Sequence, residues 1–524
     1  MLVDYHARDT GGWFAPRGRT VVALLALLCC AALAMAWLAV VQLDDVFIVY
    51  RYARNLAAGA GFVFNPGERV EGVSCFLWTA LLAPFAALGL SLPSVAPVLG
   101  AGCGLSTIVL VAQIHAEGEG RTQLAWRDLL PALLLASSPH FLYWSVGALE
   151  AVPFALLVTL ALRDHLREMR DNTRFPRSAL WLALATMTRP EAPLLIALMA
   201  GERLFETARR RWPAADRRAG LRWLALLLII VLPVLAWRYL YFGAWLPNTY
   251  YAKLGAPLTE RAAIGLMYVP NWVATLVPHL GLQGWALRSV GWQVLILLTL
   301  MVALALREAR LRAAALITLG LVAACIFEGG DWMPMFRFLV PTLPFLALLG
   351  AAALLKLAAR GRAGLYLTIG LVAMLLLACG DTAYRERDGE RGLRRVYRGY
   401  QHAHQVVGAY IAAHAAAGET VAVMDVGMIG WLAAGQRIVD VSGLTDRYIA
   451  HAPGGFLNKR YPVSYILDLH PRFIVLVAGY GPDERIAADP SFRADYGFKF
   501  ARNAHRYVLP RGNYRLALYE RRTP

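Results

Sequence analysis

Hydrophobic positions in this chain gather into long unbroken runs and seldom alternate with polar ones. Uncharged apolar stretches occupy 21–43, 98–114, 129–149, 223–237, 289–306, 313–327, 338–355 and 364–380. Several fall in the range of about 17–25 residues that carries a helix across a bilayer, and the shorter ones reach it with polar residues at their ends. The pattern predicts a polytopic α-helical membrane protein with about ten to twelve crossings. Arg17 and Arg19 precede the first run, and "AMA" at 34–36 could pass as a secretory cleavage site. A signal's apolar core is only about 7–15 residues, however, and this run continues past that site, so it reads as an uncleaved first transmembrane helix.

The pattern changes at about 381. Residues 381–524 contain no spanning run. They mix helical periodicity at 402–417 and 463–469 with short β-type runs at 420–425, 437–441, 472–477 and 514–520. That predicts a soluble α/β domain, 381–524, following a transmembrane part, 1–380.

Arginine-rich links at 163–177, 206–222, 307–312 and 356–362 carry the bias of cytoplasmic loops. The links at 44–76, 238–260 and 328–337, and the region around Glu150, then face outward, as does the C-terminal domain. Two features resist this assignment. Three apolar pieces lie between 77 and 149 where parity asks for an even number, so 77–90 is laid along the membrane surface. The stretch 385–398 holds six arginines on the face where they should be scarce. The pieces around 188–192 read as a re-entrant hairpin or as crossings.

Composition sharpens the class. Of 524 residues 58% are hydrophobic and 17% charged, against about 25% charged in soluble domains. A net charge of +17 suggests a polyanion, but the arginines sit in short links between apolar runs, which assigns them to topology and excludes nucleic acid as a partner. Five of the six cysteines lie in or beside apolar segments and only Cys75 in a loop, so there is no disulfide framework and no metal-type spacing.

Candidate chemistry concentrates in the outward links. Written as a helix, "DDVFIVYRYARN" places Asp44, Ile48, Arg51 and Asn55 on one face, with Phe47 and Arg54 nearby. Carboxylates in a first helical turn also suit the helix dipole, so a capped interfacial helix accounts for Asp44 and Asp45 as well as an active site does. The next residues add Asn65 in an Asn-Pro-Gly turn, then Glu68, Arg69 and Glu71, too many special residues for a plain linker. Asn248, Tyr251 and Lys253 follow in "YFGAWLPNTYYAK", where the tyrosines also read as interface anchors, and Asp331 and Arg337 in "GGDWMPMFRF". Glu150, Arg189 and Glu191 lie beside apolar helices, either functional or joined as a structural Arg–Glu pair. In the C-terminal domain Asp425 sits in a strand–glycine–helix turn without G-x-G-x-x-G spacing, and Asp440 and Asp446 in turn chemistry.

An outward-facing transferase has no nucleotide sugar to draw on and needs a donor already in the membrane. A sugar on polyprenyl phosphate fits, since phosphate leaves with little acid help. The protein must then supply a carboxylate base and cations for the departing phosphate. Asp44 or Asp45 is the candidate base; Arg51, Arg54, Lys253, Arg337 and Arg189 are candidate cations. Asn65, Glu68, Arg69, Glu71, Glu150, Glu191, Asn248, Tyr251, Asp331, Asp425 and Asp440 are candidate substrate contacts. The Asp44–Asp45 pair is also a candidate oxygen ligand set for Mg²⁺ or Mn²⁺. A carboxylate beside arginines is a weak base, so partial desolvation is implied as well.

The stretch "LDDVFIVYRYARNLAAGAGFVFNPGERVEGVSCFLW", with "YFGAWLPNTYYAK", "GGDWMPMFRFLVP" and "VDVSGLTDRYIA" further on, resembles bacterial membrane glycosyltransferases of the C-type (GT-C) fold. Within them it resembles the mycobacterial terminal β-(1→2) arabinofuranosyltransferase family and related pilin- and lipopolysaccharide-modifying enzymes. The resemblance implies a multi-pass enzyme of a bacterial cytoplasmic membrane. It would transfer a sugar, D-arabinofuranose, with inversion from a polyprenyl-phosphate donor to an extracytoplasmic glycan or glycoprotein. The leading acid of the family falls on Asp44 with Asp45 beside it, and the C-terminal domain aids the acceptor. Val73, Ser74 and Cys75 stand where these relatives often have a tyrosine-asparagine pair, which leaves the sugar open. Transfer of an aminopentose or hexose to lipid A is the alternative within the same fold. A lipid-linked-sugar transporter is disfavoured, because the charged motifs lie at helix ends and no internal repeat is visible.

Overall fold

A backbone surrounded by hydrocarbon must satisfy its own polar groups, so the apolar runs fold as helices. The computed structural model describes residues 18–37, 41–171, 175–253, 255–276, 285–388, 393–509 and 512–522. Among them five helices are long and apolar enough to cross a membrane: Leu92–Gly118, Ala214–Phe242, Ala309–Glu328, Pro334–Ala358 and Arg362–Arg385. The apolar stretch 129–149 is not one straight span. Trp126–Ala136 and Pro139–Val146 meet at 69° across Ser137 and Ser138, where a proline cannot donate into the preceding turn. Counted as one broken span, they make six. Thr20–Ala36, Phe76–Ala87 and Gly291–Ala305 are shorter apolar helices. The 12 residues of Phe76–Ala87 reach roughly 18 Å, well short of a ~30 Å hydrocarbon core.

This is fewer long apolar spans than hydrophobic patterning led one to expect, and the interior shows why. Ala151–Asp171 and Ala192–Arg209 bury Asp164, His165, Glu168, Glu202, Arg203 and Glu206. Most of their polar atoms find partners inside the bundle: His165 Nε2 lies 2.6 Å from Glu202, Ser178 Oγ donates to Glu168 at 2.7 Å and Trp181 Nε1 to Asp164 at 2.8 Å. Such helices are long without being uniformly apolar. By contrast, Ala214–Phe242 and Arg362–Arg385 bury little of themselves and expose Ile229, Leu240, Leu367 and Leu377. That is a surface made for lipid.

The C-terminal part forms a five-stranded sheet. β1 (Thr420–Val423), β2 (Arg437–Asp440), β3 (Phe473–Val477), β4 (Tyr496–Leu509) and β5 (Gly512–Arg521) run in the order β2-β1-β3-β5-β4. β1 pairs in parallel with β2 and β3, and the β3–β5 and β4–β5 pairs are antiparallel. β3 is buried at every position, as a central strand covered on both faces should be. β4 was not legible in the sequence: it is an edge strand carrying Lys499 and Arg502, and charge on an edge protects it from pairing with other chains.

The other edge, β2, is closed by the first loop of the membrane part. Asn65 Oδ1 accepts from the Ile438 amide at 3.0 Å and its Nδ2 donates to the Ile438 carbonyl at 2.8 Å, replacing a neighbouring strand. Two further contacts lock the same loop. The docking helix, Asp44–Ala57, sets its first carboxylate on the start of the clasp helix, Val426–Leu432, where Asp44 accepts from the Gly427 and Met428 amides at 2.8 Å each. Arg51, fully buried, donates to the carbonyls of Phe64 (2.8 Å), Gly430, Ala433 (3.1 Å) and Gln436 (2.9 Å) and to Asn65 Oδ1 (3.2 Å). All donors of its guanidinium are thereby used. Gly427 permits this approach, since a Cβ there would lie 1.9 Å from the Asp44 carbonyl oxygen.

Arg51→Lys offers three donors in place of five and no fork, leaving buried carbonyls unpaired, and is expected to destabilise the protein by at least about 2 kcal/mol. Gly427→Ala is expected to do the same by steric exclusion. Thermal unfolding in detergent, with trypsin release of the C-terminal part, reads both; wild-type stability in both variants would refute the interlock.

Candidate active site

The two adjacent aspartates part company. Asp44 is buried with both oxygens held by backbone amides. Burial pushes its carboxyl up to about 7, with Asp425 and Asp45 adding to the rise and His404 and the Met428 amide opposing it. Asp45, one residue on, is only partly buried and makes no hydrogen bond or ion pair among the described residues. Burial raises its carboxyl too, against the pull of Lys253 and Arg337. Asp44 is therefore spent on the clasp, while the positive field on Asp45 comes from Lys253 and Arg337. The oxygen pair expected as a joint Mg²⁺ or Mn²⁺ ligand set is not assembled, because Asp44 is engaged by amides. Among the described residues no three His, Cys, Asp or Glu side chains form a metal-binding group.

Lys253 ends the short helix Asn248–Lys253. Asn248 anchors that helix, its Nδ2 donating to the carbonyls of Gly443 (2.8 Å), Leu444 (3.0 Å) and Asp446 (3.1 Å). The Lys253 ammonium stands 5.5 Å from the Phe456 ring centroid and forms no ion pair or hydrogen bond among the described residues. Arg337 is buried, and its Nε donates to Asp331 at 2.7 Å. Its two terminal nitrogens have no hydrogen-bond partner among the described residues and are not sealed from solvent. The turn that presents it is strained: Met335 and Phe336 take φ of 59° and 50°, a conformation that costs of order 1–3 kcal/mol per residue and persists only where packing imposes it. Gly330 (φ 72°) lets the same segment pass the Tyr268 ring, which a Cβ would meet at 2.8 Å.

The remaining expected cations are engaged elsewhere. Arg51 is the interlock described above, and Arg54 donates to the Trp431 carbonyl at 3.1 Å with its guanidinium 4.3 Å from that ring's centroid. Neither is placed to hold a phosphate, since each is turned onto the clasp helix. Arg189 is bound at 2.9 Å by Glu191 and at 3.0 Å by Glu150, the structural pair that the sequence left open. That knot lies beside Arg337, on which both Glu150 and Arg189 act electrostatically.

The expected substrate contacts divide in the same way. Asn65 closes β2, Glu68 pairs with Arg437 at 2.6 Å, and Glu71 pairs with Arg238 at 2.9 Å. Arg69 stacks its guanidinium 4.8 Å from the Tyr241 centroid, and Tyr251 stacks on His451 at 4.4 Å. Asp440 is buried and accepts from the Ser442, Gly443 and Thr445 amides, a turn fastener. Asp331 serves Arg337. Asp425, partly exposed, joins two residues that the sequence reading passed over. His404 Nε2 lies 2.8 Å from its Oδ2, and Tyr514 donates its hydroxyl to the same oxygen. The available signal was a histidine on the stripe formed by the buried Tyr400, Ala403, Val407 and Ile411.

Residues 393–519 match the family described as "Domain of unknown function (DUF8728)". Over 247 residues the chain is 31% identical to the terminal β-(1→2)-arabinofuranosyltransferase of Mycobacterium tuberculosis (strain ATCC 25618 / H37Rv), a match covering 44% of this chain and 37% of that protein. Little more than a third of that relative's length is thus represented. ArnT from Cupriavidus metallidurans, solved bound to undecaprenyl phosphate, superposes with a TM-score of 0.58 at 13% identity, covering 96% of this chain and 98% of the other. The archaeal oligosaccharyltransferase AglB from Archaeoglobus fulgidus, solved with an inhibitory peptide and a dolichol-phosphate, gives 0.51 at 11% identity over 94% of this chain and 74% of that one. The fold is GT-C: a helical membrane part with a C-terminal sheet domain.

If Arg337 is held by its strained turn, Met335→Gly should relieve the strain without removing the cation. Because Met335 is also buried, the comparison is with Met335→Ala, which empties the same space and keeps the strain. Met335→Gly is expected to be the more stable of the two by about 1 kcal/mol, and equal thermal stability would mean that the backbone there is not strained.

Proposed function

We propose that this protein is an integral membrane glycosyltransferase that moves a sugar, a pentofuranose, from a polyprenyl-phosphate donor to the hydroxyl of a glycan or glycoprotein acceptor, with inversion. The observation that carries the reading is Asp45: a carboxylate with no hydrogen-bond or ion-pair partner among the described residues, under the pull of Lys253 and Arg337. A base for an acceptor hydroxyl and cations for a departing phosphate are what this transfer requires of a protein. The undecaprenyl phosphate seen in ArnT and the 31% match to an arabinofuranosyltransferase support the donor class and the sugar respectively.

In the proposed step the acceptor oxygen attacks the anomeric carbon from the face opposite the phosphate. The bond from that carbon to the phosphate oxygen breaks, and its electron pair leaves with the phosphate. The acceptor proton passes to Asp45. Lys253 and Arg337 hold the phosphate as its charge grows, acting as fixed donors in a poorly solvated site. Burial answers the difficulty of a carboxylate beside cations, for it keeps Asp45 more basic than an exposed aspartate under the same field. The reading places Asp45, Lys253 and the C-terminal domain (381–524) on the outer face of a bacterial cytoplasmic membrane, with the arginine-rich links inside.

The first test is mass spectrometry on protein in nanodiscs, given a polyprenyl-phosphoryl arabinofuranose and a short arabinofuranoside. Wild type is expected to add a pentose, and Asp45→Asn to lose about 10²–10⁴-fold in rate while keeping its melting temperature. Asp44→Asn is expected to lose stability as well, through the clasp. Full activity in Asp45→Asn would remove the base assignment. Since Asp45 must be ionised to act and its carboxyl is raised, kcat/KM should fall on acidification with a limb above the usual carboxylate pKa of about 4. A limb at or below that value would contradict the burial. Lys253→Gln and Arg337→Gln should each raise the donor KM; an unchanged donor KM in either takes that residue out of the phosphate site.

A further inference from the structure

Asp425 is a carboxylate of the C-terminal domain that acts electrostatically on Asp45, and its surroundings leave a single oxygen unused. Its Oδ2 receives Tyr514 and lies 2.8 Å from His404 Nε2. His404 Nδ1 sits 2.7 Å from the Tyr400 carbonyl, an acceptor only, so that nitrogen carries a proton. The 2.8 Å contact between Nε2 and the carboxyl oxygen then holds a second proton between the two groups. His404 is fully buried, and the charged and titratable groups acting on it are Asp425, Asp44 from the docking helix and, by its carbonyl, Tyr400. Oδ1 of Asp425 has no partner among the described residues, and the side chain remains 12% exposed. Tyr400 and Tyr480 ring Tyr514 at centroid distances of 5.5 and 6.3 Å.

The chain itself places this oxygen beside the reaction. Asp425 precedes Gly427 by two residues, the Gly427 amide is held by Asp44 at 2.8 Å, and Asp45 follows Asp44. Asp425 in turn acts electrostatically on Asp45, and among the described residues Asp45 and the Oδ1 of Asp425 have no hydrogen-bond partner. One carboxylate would accept the reacting hydroxyl. A second, at a position fixed by the His404 imidazole and the Tyr514 phenol, is matched to a neighbouring hydroxyl of the same acceptor. We propose that Asp425 is an acceptor subsite for that second hydroxyl and His404 its positioning residue, so that the acceptor is a sugar presenting a vicinal diol. A lone hydroxyl, a phosphate or an amide would leave the subsite unmet. This rests on the transferase reading above, and gives the matched domain of unknown function a part in choosing the acceptor.

The test uses the full chain in nanodiscs with a polyprenyl-phosphoryl arabinofuranose donor and two acceptors, a short arabinofuranoside and its deoxy counterpart lacking the hydroxyl next to the receiving one. Asp425→Asn is expected to raise the KM of the intact acceptor roughly tenfold to a hundredfold, to leave the donor KM within about twofold, and to lose nothing further on the deoxy acceptor. His404→Ala should match it. His404→Gln, which can still donate to Asp425, should fall between. An unchanged acceptor KM, or equal losses on both acceptors, would overturn the subsite. Calorimetric binding of the same arabinofuranoside separates the two readings. If wild type binds it but transfers nothing, and Asp425→Asn weakens binding, the subsite stands and the transferase reading falls. If wild type neither binds nor transfers, both fall.

Discussion

The architecture depends on one junction, where the buried docking helix is held by the backbone of the C-terminal domain. Asp44 closes two orphan amides at the start of the clasp helix, Arg51 fills four carbonyls, and Asn65 stands in for a strand beside β2. Each contact joins a charged or amide side chain to buried main-chain atoms, of which the Phe64 and Ala433 carbonyls also receive Asn55 Nδ2 and the Gln436 amide. Such groups are expensive to bury alone, so the junction forms whole or not at all. With it in place, the membrane part and the sheet domain share one site.

From that junction follows the division of labour between adjacent aspartates. Successive residues on a helix point about 100° apart, so one carboxylate can be consumed by structure while its neighbour stays free. The same logic separates the cations. Arg51 and Arg54, on the docking helix, turn to the clasp, whereas Lys253 and Arg337 come from other segments and keep open donors. Lys253 is aimed by Asn248, and Arg337 by a left-handed turn through Met335 and Phe336. Strain in the backbone next to a guanidinium with open terminal nitrogens is a feature that packing sustains in spite of its energy.

The C-terminal domain is thereby more than a cover. Its clasp helix orients the docking helix, and just before it Asp425, His404 and Tyr514 place a second carboxylate beside the first. In the proposed function the C-terminal part reads the acceptor and the membrane part the donor.

What the sequence by itself determined is what rests on local pattern. Long apolar runs forced helices, arginine distribution suggested which links share a face, and period-two runs revealed four of five strands; β4 stayed hidden because an edge strand favours charge over alternation. The outer links were recognisable as a site from their density of acids, turns and aromatics. Which of those residues are free was not legible. Asp44 and Asp45, or Arg51 and Lys253, are equivalent by residue type, and only the long-range partners tell them apart: Gly427 for Asp44, Gln436 for Arg51, none for Asp45. His404 and Tyr514 meet at Asp425 from a helix and a strand more than a hundred residues apart. Tertiary structure decided which polar groups remain available, because that is set by whether their hydrogen bonds are already spent, and this depends on residues far along the chain.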